Sequence, residues 1–165
     1  MKRLITILIG LTFLVGCTPS FSGYVMDKRE GAILVVDPSP QDFSHTKEDD
    51  RYYEAYWAEG DAAENVEIGS KVDVWLGKYV QESYPGQVAL KRAKAVPTSK
   101  PEGAQLTEYE ALRKALNKKE DETYELWAVS SIEYEKDEDQ WKIRLISTFN
   151  GKEKEKQIEL KDGES

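Results

Sequence analysis

Cysteine and histidine are almost missing from this chain, with one of each among 165 residues. A single cysteine excludes an intrachain disulfide framework, and with one histidine it also excludes a Cys/His zinc site or a multi-histidine metal site. An apolar run of about 20 residues, the length of a spanning helix, is missing as well. So is a positive balance: 23 Lys and Arg face 31 Asp and Glu, a formal net charge of −8. That charge argues against broad binding to a phosphate backbone. No catalytic signature stands out. What is present, 39% hydrophobic and 33% charged residues, suits one or two small soluble domains. A chain of this length buries about two-thirds of its unfolded surface and needs no covalent staple.

Met1-Lys2-Arg3 is a short positive region, and Leu4 to Val15 is almost wholly apolar. The run is too short to span a bilayer, and its flanks fit the core of an export signal. It ends in Leu14-Val15-Gly16-Cys17, which resembles the lipobox of bacterial lipoproteins. Small Gly16 gives a peptidase access to the bond before Cys17. The resemblance implies cleavage there and a diacylglyceryl thioether on the Cys17 thiol. Two acyl chains hold a protein on a membrane where one is marginal. The competing readings are an ordinary secreted protein with an accidental cysteine, or a cytosolic protein with an apolar helix. The position of the sole cysteine weighs against both.

Removal of residues 1–16 leaves 149 residues with 21 bases and 31 acids, a side-chain charge of −10. An acidic domain is repelled by an anionic lipid surface, so net charge alone has it standing off the bilayer. Residues 17–21 form the tether.

Between 22 and 96 the pattern is of short strands. Gly23 to Met26 and Ala32 to Asp37 flank a polar turn ending in Gly31, and Asp37-Pro38-Ser39-Pro40 is expected to stop the second strand. Ile33 to Val36 are apolar in succession, which predicts cover on both faces. Tyr52 to Trp57, Val72 to Leu76 and Val88 towards Val96 complete about five strands, the last two joined by a turn at Ser83-Tyr84-Pro85-Gly86. Gly60 to Asn65 reads as a loop. A small, partly closed barrel removes the edges of such strands.

Residues 97–104, with Pro97 and Pro101, read as a linker. From 105 to 162 the sequence predicts one helix and a three-stranded antiparallel meander. Thr107 and Glu110 form a capping box, with Tyr109, Leu112, Ala115 and Leu116 on one face. Strands are expected over 124–135, 141–149 and 155–160. In the middle one, Trp141, Ile143, Leu145, Ser147 and Phe149 share a face. The fold class is therefore mainly β, a small barrel followed by a helix and a meander.

Several segments together resemble the YobA-like lipoproteins of bacilli: Gly23-Tyr24-Val25, Ile33-Leu34-Val35-Val36, Ile68-Gly69-Ser70-Lys71-Val72-Asp73-Val74-Trp75 and Glu82-Ser83-Tyr84-Pro85-Gly86-Gln87. The resemblance spans residues 22–96 and implies a lipid-anchored, OB-like β-barrel of a Gram-positive cell. It brings no catalytic residues, and it does not extend over residues 105–162.

Candidate chemistry is sparse. Ser44-His45-Thr46-Lys47 matches the SxxK of penicillin-binding enzymes, but the SDN and KTG partners are missing and the match lies in a polar loop. Glu48-Asp49-Asp50, Glu120-Asp121-Glu122 and Asp137-Glu138-Asp139 lack EF-hand spacing and read as solvated runs. No cofactor, metal site or catalytic residue is assigned. The aromatics carry more: Tyr52, Tyr53, Tyr56, Trp57, Trp75, Tyr79 and Tyr84 crowd into 33 positions. OB-like barrels use aromatic faces as stacking platforms. Tyr56, Trp57, Trp75 and Tyr84 are the candidate ligand-binding residues. Against this stands the plainer reading that aromatics fill the barrel and cover its faces, which has the stronger claim because strands are enriched in them. Trp75 alternates with Val74 and Leu76, which makes it a surface contact residue or a lid beneath the helix.

The sequence thus reads as an extracytoplasmic lipoprotein, held at the membrane through Cys17, with a non-enzymatic binding or interaction module. Its partner is a protein, a peptide or a cell-wall ligand, and not nucleic acid. The alternatives are a small cell-envelope hydrolase and an inhibitor or immunity protein.

Overall fold

Alternation along Ala32–Asp42 decides how the layers form. Ile33 and Val35 point into one apolar cluster, and Leu34 and Val36 into another. A strand covered on both faces needs something beyond the barrel to cover its outside. The computed structural model describes residues 18–42, 51–118, 125–147 and 153–163. Cys17, Ser44, His45, Phe149 and the acidic runs at 48–50 and 120–122 lie outside these residues.

Five strands close a barrel: β1 (Phe21–Arg29), β2 (Ala32–Asp42), β3 (Arg51–Glu59), β4 (Lys71–Gln81) and β5 (Gly86–Ala95). Their order around the barrel is β1-β2-β3-β5-β4, with β1 returning to β4. Neighbours are antiparallel except β3 and β5, which run parallel from Tyr56↔Gly86 to Glu59↔Ala89. This is the OB-like arrangement, here closed all round. Val25, Ile33, Val35, Val72 and Val74 have no exposed surface and fill the interior with Phe21, Ala58, Val88 and Leu90. Each large aliphatic side chain among them contributes about 1.5–3 kcal/mol relative to exposure.

Two expectations change. Strand β2 does not stop at Pro38 but runs on to Asp42, with its pairing to β3 interrupted between Val36 and Pro40. The irregularity accommodates the prolines, which cannot donate to a ladder. Residues Asp61–Asn65 form a short 3-10 turn that buries Ala63 in the barrel core.

Helix α1 (Glu108–Asn117) and the meander of β6 (Ala128–Glu135), β7 (Gln140–Ser147) and β8 (Lys154–Lys161) follow. The capping box forms as its residues require: the Glu110 N–H donates to Thr107 Oγ1, and the Thr107 N–H donates to Glu110 Oε2 at 2.8 Å. Trp141, Ile143 and Leu145 are fully buried against Ala111, Leu112 and Ala115. The same cluster takes in Met26, Leu34, Val36, Tyr53 and Ala55 from the outside of the barrel. Barrel, helix and meander therefore share one core. Residues 97–104 are held too: the Glu108 N–H donates to the Ser99 carbonyl, and Ala104 is buried in the shared core.

Candidate functional site

Strand β3 sets the site, because its side chains alternate between the barrel interior and the outside. Tyr56 and Ala58 pack on the interior cluster, whereas Trp57 packs on the outer one. Trp57 pairs with Leu34 on β2 and Gln87 on β5. The Arg29 guanidinium, at the end of β1, lies 4.3 Å from the Trp57 ring centroid. Such a contact contributes about 0.5–1 kcal/mol at an exposed site.

The opposite wall comes from β4. Leu76 pairs with Leu90 and Val80 with Val88, so four steps along β4 face two along β5. The surplus Gly77-Lys78-Tyr79 segment bulges outwards. Tyr79 is left 91% exposed and Val80 46%, the two exposed large hydrophobic side chains among the described residues. Between these walls lies an open groove of about 460 Å³, lined by Arg29, Trp57, Glu59 and Gly60 on one side and Tyr79, Val80, Gln81, Gln87, Val88 and Ala89 on the other. Its polar groups are one guanidinium, one carboxylate, two carboxamides and a phenol. Planar amides and aromatic faces suit a neutral, hydroxyl- or amide-bearing ligand. A lone carboxylate does not supply the acid and base of glycoside hydrolysis.

The four aromatic candidates do not form one platform. Trp57 lines the groove. Tyr56 stands edge-on to Phe21, with centroids 5.2 Å apart, and its hydroxyl donates to Glu54. Burial first, then the Glu54 carboxylate, pushes the Tyr56 phenol well above its ordinary value, so it stays neutral. Tyr84 folds back from the β4–β5 turn, donating to the Tyr53 carbonyl at 2.9 Å and packing 4.9 Å from the Tyr52 ring. Burial and then neighbouring Tyr52 raise its phenol too. Tyr84 thus fastens the turn to β3. Trp75 lies half-buried on the outside of β4, with the Arg92 guanidinium 4.5 Å from its ring centroid. It is not among the side chains packed on the core beneath the helix.

Sequence reading missed Arg29, Glu59, Gln81 and Gln87, and it noted Tyr79 only as one of a crowd. The tight turn at Gly31 between β1 and β2 signals where Arg29 ends. The bulge that turns Tyr79 outwards leaves no local signature. In the turn after β6, Asp139 accepts from the Tyr134 hydroxyl at 2.8 Å and Glu138 lies 3.8 Å from Lys142 Nζ, so these acids serve turn geometry. Among the described residues, no group of three or more His, Cys, Asp or Glu is placed to hold a metal ion, and no helix is long and apolar enough to cross a membrane.

Residues 22–97 match a family described as "Protein of unknown function (DUF3221)". The matched stretch is the whole barrel and excludes the helix and meander. No curated protein and no solved structure matches the chain.

Proposed function

We propose that this chain is a lipid-anchored, extracytoplasmic binding module whose ligand lies in the groove between Trp57 and Tyr79. The observation that carries the reading is the exposure of Tyr79 and Val80 across from the Arg29–Trp57 pair. An apolar side chain held in water by a bulge has a use when something covers it. The neutral character of the groove supports a sugar, cell-wall fragment or peptide. Its single carboxylate supports binding over hydrolysis. The lipobox at Leu14-Val15-Gly16-Cys17 and the likeness to the YobA-like lipoproteins support the address.

The groove is tested by titrating the mature protein with soluble peptidoglycan fragments and short peptides while following its amide and indole resonances. Shifts centred on Trp57, Tyr79 and Gln87 are expected. Saturable binding that leaves these signals unmoved sinks the groove as the site. The address is tested by Cys17→Ala in cells, which should release the protein or leave its precursor uncleaved. Unchanged membrane retention sinks the anchor.

A further inference from the structure

We infer that the outer face of the β4–β5 hairpin lies against the anionic surface of the membrane that holds the anchor, with the rest of the barrel turned away. The inference rests on the lipid anchor proposed above and adds an orientation to it.

The first support is where the tether leaves the fold. The Ser20 N–H donates to the Val74 carbonyl at 2.8 Å, and the Leu76 N–H donates to Ser20 Oγ at 3.2 Å. The chain running back towards Cys17 therefore starts from the middle of β4. Cys17 lies three residues before Ser20, so a fully extended tether reaches at most about 11 Å. The lipid attachment point is held within that distance of β4.

The second support is charge, which is unevenly distributed. Residues 68–100 carry six bases and two acids, whereas residues 22–67 carry four bases and twelve acids. Strand pairing gathers the bases on one face. Trp75 sits opposite Arg92, and Asp73 opposite Lys94, with Lys91 at the register shift between the Trp75–Arg92 and Leu76–Leu90 pairs. Lys91, Arg92 and Lys94 are exposed. Lys91 and Lys94 make no ion pair among the described residues. Asp73 accepts from the Ser22 hydroxyl at 2.6 Å.

Distance decides between local and net charge. Screening confines an anionic surface's field to about 8–10 Å, which is also the reach of the tether. Only charges within that layer feel the lipid, and those near the tether, Asp73 apart, are basic. Each contributes on the order of a fivefold preference for the surface. The acids carried by β1–β3 and their loops are repelled by the surface and turn the barrel so that this side faces outwards. Half-buried Trp75, amphipathic and beside Arg92, suits the headgroup zone. Net charge alone predicts a domain that stands off the bilayer; its distribution predicts one that is oriented.

The sole cysteine makes the test direct. The mature chain is coupled through Cys17 to a maleimide lipid, in vesicles of phosphatidylcholine alone or mixed equally with phosphatidylglycerol. Lysines are then labelled with a water-soluble acylating reagent and quantified by mass spectrometry. Lys91 and Lys94 should label several-fold more slowly on the anionic vesicles only. Lys136 and Lys154 should label equally on both. The protection should vanish near 1 M salt, where screening shortens to about 3 Å, and weaken in the exposed-surface variant Arg92→Glu, which keeps both reporter lysines. Equal labelling of Lys91 and Lys94 on both vesicles, or protection at Lys136 and Lys154 instead, overturns the orientation. Because the coupling is chemical, this outcome is separate from whether cells acylate Cys17.

Discussion

The buried indole of Trp141 donates its Nε1–H to the carboxylate of Asp162 at 2.9 Å. Asp162 also accepts the backbone N–H groups of Gln105 and of Leu106, the latter at 3.0 Å. One side chain, just past β8, thereby joins the centre of the meander to the residues that precede α1. Asp162→Ala removes the acceptor for three donors, one of them buried. Unfolding by urea should show a loss of about 2–3 kcal/mol, with Asp162→Asn losing less because one acceptor oxygen remains.

Acid should act on the same contact. Burial pushes the Asp162 carboxyl up, but the Gln105, Trp141 and Leu106 donors outweigh it and hold the group below its ordinary value. A carboxyl depressed on folding stabilises fully above its unfolded pKa, about 3.9. That stability is lost as pH falls through the lower folded value. The stability difference between wild type and Asp162→Asn should be constant above about pH 5 and shrink below pH 4. A constant difference down to acid unfolding counts against the charged contact.

Gly69 and Gly31 separate backbone conformation from close approach. Both have positive φ, 87° and 69°. A β-carbon on Gly31 meets nothing within 4 Å, whereas one on Gly69 would lie 2.8 Å from the Arg113 backbone nitrogen in α1. Gly31→Ala should cost about 1 kcal/mol for the backbone alone. Gly69→Ala should cost clearly more, as measured by thermal unfolding. The excess reports how tightly the helix docks on the barrel.

Thr107→Ala breaks the capping box and should lower stability by about 1 kcal/mol. Amide exchange should quicken at Glu110 and its neighbours first, since the Glu110 N–H loses its acceptor. Uniform acceleration across the barrel would show instead that the cap governs global unfolding.

Tyr79→Ala separates binding from folding. With 91% of its surface exposed, Tyr79 contributes little to packing, and the variant should unfold within about 0.5 kcal/mol of wild type. Groove ligands should nonetheless bind at least about tenfold more weakly. Trp57→Ala should lose both binding and stability, because Trp57 also packs on the shared core.

The strands and the helix cap were legible because they depend on neighbours in sequence. Alternation placed Trp141, Ile143 and Leu145 on one face, and they are buried together. Successive apolar residues at Ile33 to Val36 required cover on both sides, and the helix and meander provide it on the outside. The groove was less legible because register made it. Tyr56 and Trp57 are adjacent in sequence but lie on opposite sides of β3, and Tyr79 is turned out by a slip between β4 and β5 that depends on Leu90 and Val88. Arg29 meets Trp57 only after 28 residues of chain return through β2. The prolines at 38 and 40 ended the strand on local rules, and the irregular pairing with β3 tolerated them.

The covered outer face of the barrel also marks relatives. Met26, Leu34, Val36, Tyr53 and Ala55 are apolar here because a helix and a meander lie over them. A homologous barrel without those additions would leave the same five positions in water, where selection favours polar side chains. The polarity of these five positions therefore sorts homologous barrels into those that carry a covering layer and those that end at the barrel.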